Sequence, residues 1–168
     1  MSKGIDIPID DLILLFNTYL WTTKVRSFYG RIFRNEIPNG YGVKIQPLYY
    51  GAVGSEPIEV LKDDRKDAQC FVDIMPNRKM NTDVIEAECR VCFMVNLTAI
   101  YPTLTRTEAI ETVMNDVKNY IMASQFEFIQ LVSGYEAFKD YQWNEDVISD
   151  MSGNHLFRFD LKTIYLND

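Results

Sequence analysis

One histidine, His155, serves the whole chain of 168 residues. A Ser/His/Asp or Cys/His nucleophilic device would have to use it. No neighbouring residue type marks it as a base, and its position at the start of a closing strand predicts a half-exposed edge histidine. Cysteine is nearly as scarce: Cys70, Cys89 and Cys92 make an odd count. Cys89 and Cys92 form a CxxC, a spacing used by zinc and redox sites. Here the motif lies in a stretch of period two, which sends its two side chains to opposite faces, and no second CxxC exists. The thiols are read as reduced, packed residues of a cytoplasmic protein, and no metal is expected.

Glycine is sparse and not clustered for phosphate. Gly51-Ala52-Val53-Gly54 is not followed by Lys-Ser/Thr, so no nucleotide cofactor is expected. No apolar run approaches the roughly 18 residues needed to span a bilayer. The first apolar run follows Asp6 and Pro8 without a basic flank, so no signal peptide is expected. Asn96-Leu97-Thr98 is a formal glycosylation sequon, but it lies on a strand and is read as chance. A basic face is also missing. The net charge is -7; the first 50 residues carry six Lys/Arg against four Asp/Glu, while residues 103–168 carry five against eleven. Such a balance repels nucleic acid rather than holding it.

What the chain does have is Glu86 to Ala123. From Glu86 to Tyr101, Ala87, Cys89, Val91, Phe93, Val95, Leu97, Ala99 and Tyr101 alternate with a mixed set. That predicts a strand buried on one side. At roughly 3.3 Å per residue it would span on the order of 50 Å, longer than a small domain needs. Pro102 is expected to end it. Thr105-Arg106-Thr107-Glu108 has capping-box spacing, and Ala109, Ile110, Val113, Met114, Val117, Tyr120 and Ile121 follow at helical spacing. The Glu86–Arg90 end, entered from a hairpin tip bearing Arg78 and Lys79, is read as leaving the domain to meet a neighbour.

The remaining elements fall around this unit. Residues 1–8 are read as an arm, and Asp10 or Asp11 as the cap of a helix over Leu12, Ile13, Leu15, Phe16, Tyr19 and Leu20. Trp21 lies off that stripe, at a domain edge or against another chain. Lys24–Arg34 and Gly42–Gln46 read as a hairpin about Pro38-Asn39-Gly40, with Gly30 as a possible bulge. Residues 47–67 are irregular, with a short strand near Ile58–Leu61, and Tyr49 and Tyr50 at their base suggest an interaction loop. Ala68–Met75 is a strand ended by Pro76-Asn77-Arg78. Phe128, Leu131 and Val132 fit a short helix, with Gly134 as a break. Residues 141–155 are an acidic irregular loop, and His155–Leu166 is a terminal strand.

The sum is one α+β domain over residues 1–168. Its sheet is mostly antiparallel, an N-terminal helix and one long helix at about 105–123 pack on one face, and a long hairpin projects. The carboxylates with catalytic potential are Asp73, Glu86 and Glu88 on adjacent strands, which could bind Mg²⁺ in a nuclease. The sequence lacks the lysine such sites pair with the second acid, and a solvated sheet face with an internal ion pair accounts for them more simply.

The pair CRVCFMVNLTAIYP…TRTEAIETVMNDVKNYI and the closing FRFDLKTIYL strand resemble the tail-terminator and neck (head-to-tail connector) proteins of tailed bacteriophages. The likeness runs from residue 9 onward. It implies a non-catalytic virion protein, assembled in the host cytoplasm into a ring of six or twelve copies. Its partners would be itself and adjacent portal, neck or tail-tube proteins, with DNA only as cargo passing through the lumen. The contacts implied are Trp21, Tyr49, Tyr50 and Trp143 as aromatic anchors, with Lys62, Arg65, Arg78 and Lys79 on the reaching loop and hairpin. Two alternatives remain from the residues: a Mg²⁺-dependent nuclease using Asp73, Glu86 and Glu88, and a monomeric adaptor binding a peptide along an open sheet edge.

Overall fold

The computed structural model describes residues 4–40, 42–51, 54–142 and 154–166. The chain runs α1 (Asp6–Tyr19), β1 (Arg26–Arg31), β2 (Phe33–Asn39), β3 (Gly42–Tyr49), β4 (Ile58–Glu59), β5 (Ala68–Met80), β6 (Val84–Asn96), α2 (Leu97–Ile100), α3 (Arg106–Met122), β7 (Glu127–Ser133) and β8 (Asn154–Leu166). A single 3-10 turn, Tyr135–Ala137, follows β7. Five strands form the main sheet in the order β1-β5-β6-β8-β7, and β2-β3-β4 form a second sheet. Among the described strands all pairings are antiparallel except β1 with β5, and a lone parallel bridge joins Ile45 to Tyr141. This is an α+β fold with both long helices on one face of the main sheet, as the sequence pattern predicts.

β6 is the spine. Ala87, Cys89, Val91, Phe93 and Val95 enter the larger core, where Ile9, Leu12 and Phe16 of α1 and Val113, Val117 and Ile121 of α3 meet them. Each fully buried side chain of this size contributes about 1.5–3 kcal/mol. The other face of β6 is covered at Cys92 and Met94, while Glu88 is exposed and Glu86 and Arg90 are half-buried. Cys92 and Met94 lie in a second core with Phe71, Leu156, Ile32, Ile45, Val60, Phe138 and Tyr141. The small sheet and the turn after β7 form its cover.

Several boundaries differ from the sequence expectation. β6 stops at Asn96, not at Pro102, because the Asn96 side chain accepts from the Ala99 amide and starts α2. Leu97 and Ile100 are both buried, which period two does not allow but one helical turn does. α1 begins at Asp6 without a side-chain cap. The arm is correspondingly shorter, since Ile5 and Pro8 are buried and Pro8 occupies the first turn, where no amide partner is needed.

The stretch after α1 is divided between sheets. β1 pairs with β5, and the chain crosses at Ile32, whose amide donates to Val72 O at 2.9 Å. Only β2 forms the expected hairpin with β3, closing at the Asn39–Gly42 pair. The β1 register shifts between Phe28 and Arg31, where Gly30 sits. β5 passes through Pro76 to Met80, with a register shift between Ile74 and Arg78 that holds the proline outside the ladder. The hairpin tip is therefore residues 81–83, and Arg78 and Lys79 are strand residues. The hairpin is also not a lone projection, because β8 pairs along β6 from Asn96–Asn154 to Val84–Leu166.

β7 replaces the short helix expected over Phe128, Leu131 and Val132. Its bulge between Phe128 and Gln130 resets the alternation, so Phe128 and Leu131 both pack on the larger core. A bulge thus produces the three-residue spacing that imitates a helix. Gly134, at φ 75°, ends the strand. Among the described residues no helix is long and apolar enough to cross a membrane.

Candidate functional site

The covered face of the sheet holds a buried ionic network. Asp73 on β5 stands opposite Arg90 on β6 and is fully buried. Its Oδ2 accepts from the Tyr141 hydroxyl at 2.6 Å and from Arg34 at 2.7 Å. Its Oδ1 has no hydrogen-bond partner among the described residues. Arg90 donates to Asp140 at 2.9 Å and lies 3.9 Å from Asp160, which Arg158 also contacts at 2.9 Å. Arg158 reaches the Ala137 carbonyl at 3.1 Å. Burial pushes the Asp73 carboxyl above its usual range, and the Tyr141 hydroxyl and Arg34 pull it back. Burial likewise raises the Tyr141 hydroxyl, which leaves it a donor at neutral pH.

Charges of alternating sign therefore run across β5, β6 and β8 and tie them to β2 and the segment after β7. That segment is also held to β3, through Ile45 N to Asp140 O at 2.8 Å and Gln142 N to Ile45 O at 2.7 Å. A buried ion pair contributes little net stability, but removing one partner is costly. The network fixes how the second layer docks.

The three carboxylates of the nuclease alternative are not brought together. Asp73 is taken by Arg34 and Tyr141. Glu86 lies 3.4 Å from Lys79 and 3.9 Å from Lys162, and Glu88 is exposed opposite Lys162. The β5 bulge between Ile74 and Arg78 separates the Asp73 register from that of Glu86. Among the described residues no group of three His, Cys, Asp or Glu could hold a metal ion. Cys89 and Cys92 do face opposite cores, and burial raises the pKa of both thiols. His155 is not a half-exposed edge residue. It is 7% exposed, stacks on Phe157 at 5.6 Å, and its Nε2 has no partner among the described residues.

The expected contact residues have diverse surroundings. Trp21 turns inward at φ 50°, with its ring against Phe28 and Phe93 and its Nε1 donating to Tyr101 Oη at 3.1 Å. That packing holds a left-handed conformation a large side chain seldom adopts. Tyr49 packs edge-on to Tyr29, and Tyr50 is exposed beside Phe33. The Lys62 side chain is only 5% exposed and its Nζ donates to Asp63 O at 2.9 Å, so it braces the loop from within. Arg65 is exposed and grips Asp63, whose pKa its hydrogen bonds draw down to about 2. Arg78 donates to the Tyr165 hydroxyl at 3.0 Å, and Lys79 pairs with Glu86. Trp143, like most of the 141–155 loop, lies outside the described residues.

Two surface features stand out that sequence reasoning missed. A groove of about 490 Å³ runs between α1 and the end of α3, lined by Pro8, Leu14, Leu15, Tyr19, Ala123 and Gln125 among others. On its lining Leu14 and Tyr19 are 63% and 61% exposed. The available signal was the run Ile9 to Phe16, more apolar than one buried stripe requires. The second is a cleft of about 430 Å³ beside the β5 bulge.

No family model, no curated protein and no solved structure matches the chain.

Proposed function

We propose that this chain is a non-catalytic ring subunit of the neck or tail of a tailed bacteriophage, a tail terminator or head-to-tail connector. The observation that carries the reading is the exposed apolar band of Leu14 and Tyr19 along the α1–α3 groove. Large apolar side chains exposed beside a groove are common at contacts between proteins. The main sheet adds a second feature. Its outer strands, β1 and β7, lie at opposite ends, which permits head-to-tail contacts between copies; these form a ring when the rotation between neighbours closes. The acidic balance of the chain suits a lumen through which DNA slides without adhering. In this reading the buried ionic network keeps the two layers in fixed relation, so that each copy presents the same faces.

Leu14→Glu tests the reading. The side chain is 63% exposed, so the substitution should leave folding intact, with far-ultraviolet circular dichroism unchanged. It places a charge in the apolar band, and light scattering should show the oligomer of the unsubstituted chain reduced to smaller species. An unchanged oligomeric mass would remove the α1–α3 band from the interface and the reading's main support.

A further inference from the structure

The cleft beside the β5 bulge has a chemical character of its own. Among the described residues, Arg31, Arg34 and Arg78 line it and no carboxylate does, in a chain of net charge -7. Its walls are otherwise apolar: Ile32, Phe33, Ile74, Met75, Pro76 and Met80. Local geometry explains the opening. The ladder between β1 and β5 ends at the Arg31–Val72 pair, where the chain crosses to the second sheet. From Asp73 to Met80, β6 is the only described strand paired with β5. The register shift between Ile74 and Arg78 then sets three β5 residues, one of them Pro76, against a single residue of β6. Proline and a bulge are devices that block regular strand addition at an edge. Whatever fills the cleft is recognised through side chains.

The cations are held in place, two of them by one carboxylate each, which leaves most of their donors open. Arg34 is anchored through Nη1 to buried Asp73. Arg31 meets Asp6, itself 65% exposed, at 3.2 Å. Arg78 donates to a neutral group, the Tyr165 hydroxyl. Guanidinium groups held this way are pre-oriented for carboxylates. A single-stranded nucleic acid held by base stacking would need an open ring face, and the acidic balance of the chain disfavours phosphate backbones in general. Phe33, 48% exposed, already carries the Arg31 guanidinium 5.4 Å from its centroid and Tyr50 edge-on at 5.0 Å, which leaves less of its ring for a base.

We propose that this cleft binds an acidic segment of a partner polypeptide, with an apolar side chain against Ile32, Ile74 and Met75 and neighbouring carboxylates on Arg31, Arg34 and Arg78. The site does not depend on ring formation. The volume is that of an ordinary ligand cleft, and the absence of a ladder means that the peptide backbone contributes little.

Fluorescence anisotropy with the labelled hexapeptide EELLDE tests this on the full chain. Binding should be at least about tenfold tighter than for KKLLKK, for EEGGDE or for a short single-stranded oligothymidylate. Peptide N-methylated at both leucines should bind as well as the parent. Arg31→Gln with Arg78→Gln should weaken EELLDE about tenfold or more while leaving the melting temperature and the oligomeric mass unchanged. Arg34 is left in place because it holds Asp73. Equal binding of KKLLKK or EEGGDE, preference for the oligonucleotide, or loss of binding on N-methylation would overturn the proposal. A fall in oligomeric mass in the double variant would also overturn it, by making the cleft a contact between copies. Failure of the ring reading, seen as a monomeric unsubstituted chain, leaves the peptide measurement unaffected.

Discussion

Removing the Tyr141 hydroxyl leaves the buried Asp73 carboxylate with Arg34 as its one remaining donor among the described residues. Tyr141→Phe keeps the ring that packs on Phe71 and Phe138, so the loss is electrostatic. Urea unfolding should show about 1–3 kcal/mol of destabilisation; a neutral result would mean that the carboxyl is carried protonated and needs no donor. His155 gives a pH dependence of defined sign. Burial, with Arg106 as a second cause, holds its pKa below the ordinary 6.5. The unfolded chain therefore takes up a proton near 6.5 that the folded chain resists, and stability is lost as pH falls below that value. His155→Phe should flatten the decline in melting temperature between about pH 7 and pH 5. At this scale the sequence was legible only in part. Asp73 could be placed on a strand, but its partners Arg34 and Tyr141 stand 39 and 68 residues away, and no local pattern signals that they close over it.

α3 was legible because its signals are local. The Thr105 side chain accepts from Glu108 N and the Glu108 carboxylate accepts from Thr105 N at 2.9 Å, which also lowers the Glu108 pKa. Thr105→Ala should cost about 1 kcal/mol, seen as a melting temperature lower by about 2–4 °C, with no change in assembly. Similar locality explains why β8 and the short β4 fall close to their predicted positions. Where alternation was interrupted, the reading failed. A bulge in β7 imitated helical spacing, one helical turn at Leu97–Ile100 extended the apparent alternation of β6, and a bulge carried β5 through a proline. The division of residues 26–39 between two sheets depends on Ile32 entering the second core. That is a tertiary fact, invisible to a pattern that records only apolar or polar.

For the whole molecule, the α+β class and the common face of the two long helices followed from element order and stripe direction. The second layer did not, because its strands read as a simple hairpin and an irregular loop. This layer makes a core of the face around Phe71, Cys92 and Met94, leaves the Glu86–Glu88 end solvated and ion-paired, and leaves the α1–α3 band and the arginine cleft as separate surfaces. The central claim is that copies of this chain assemble through such surfaces into a ring. Negative-stain imaging of the purified full chain, at a concentration set by parallel light scattering, tests it most directly. The account predicts closed rings of uniform copy number with a central channel. A monodisperse monomer that persists at the highest attainable concentration would contradict it.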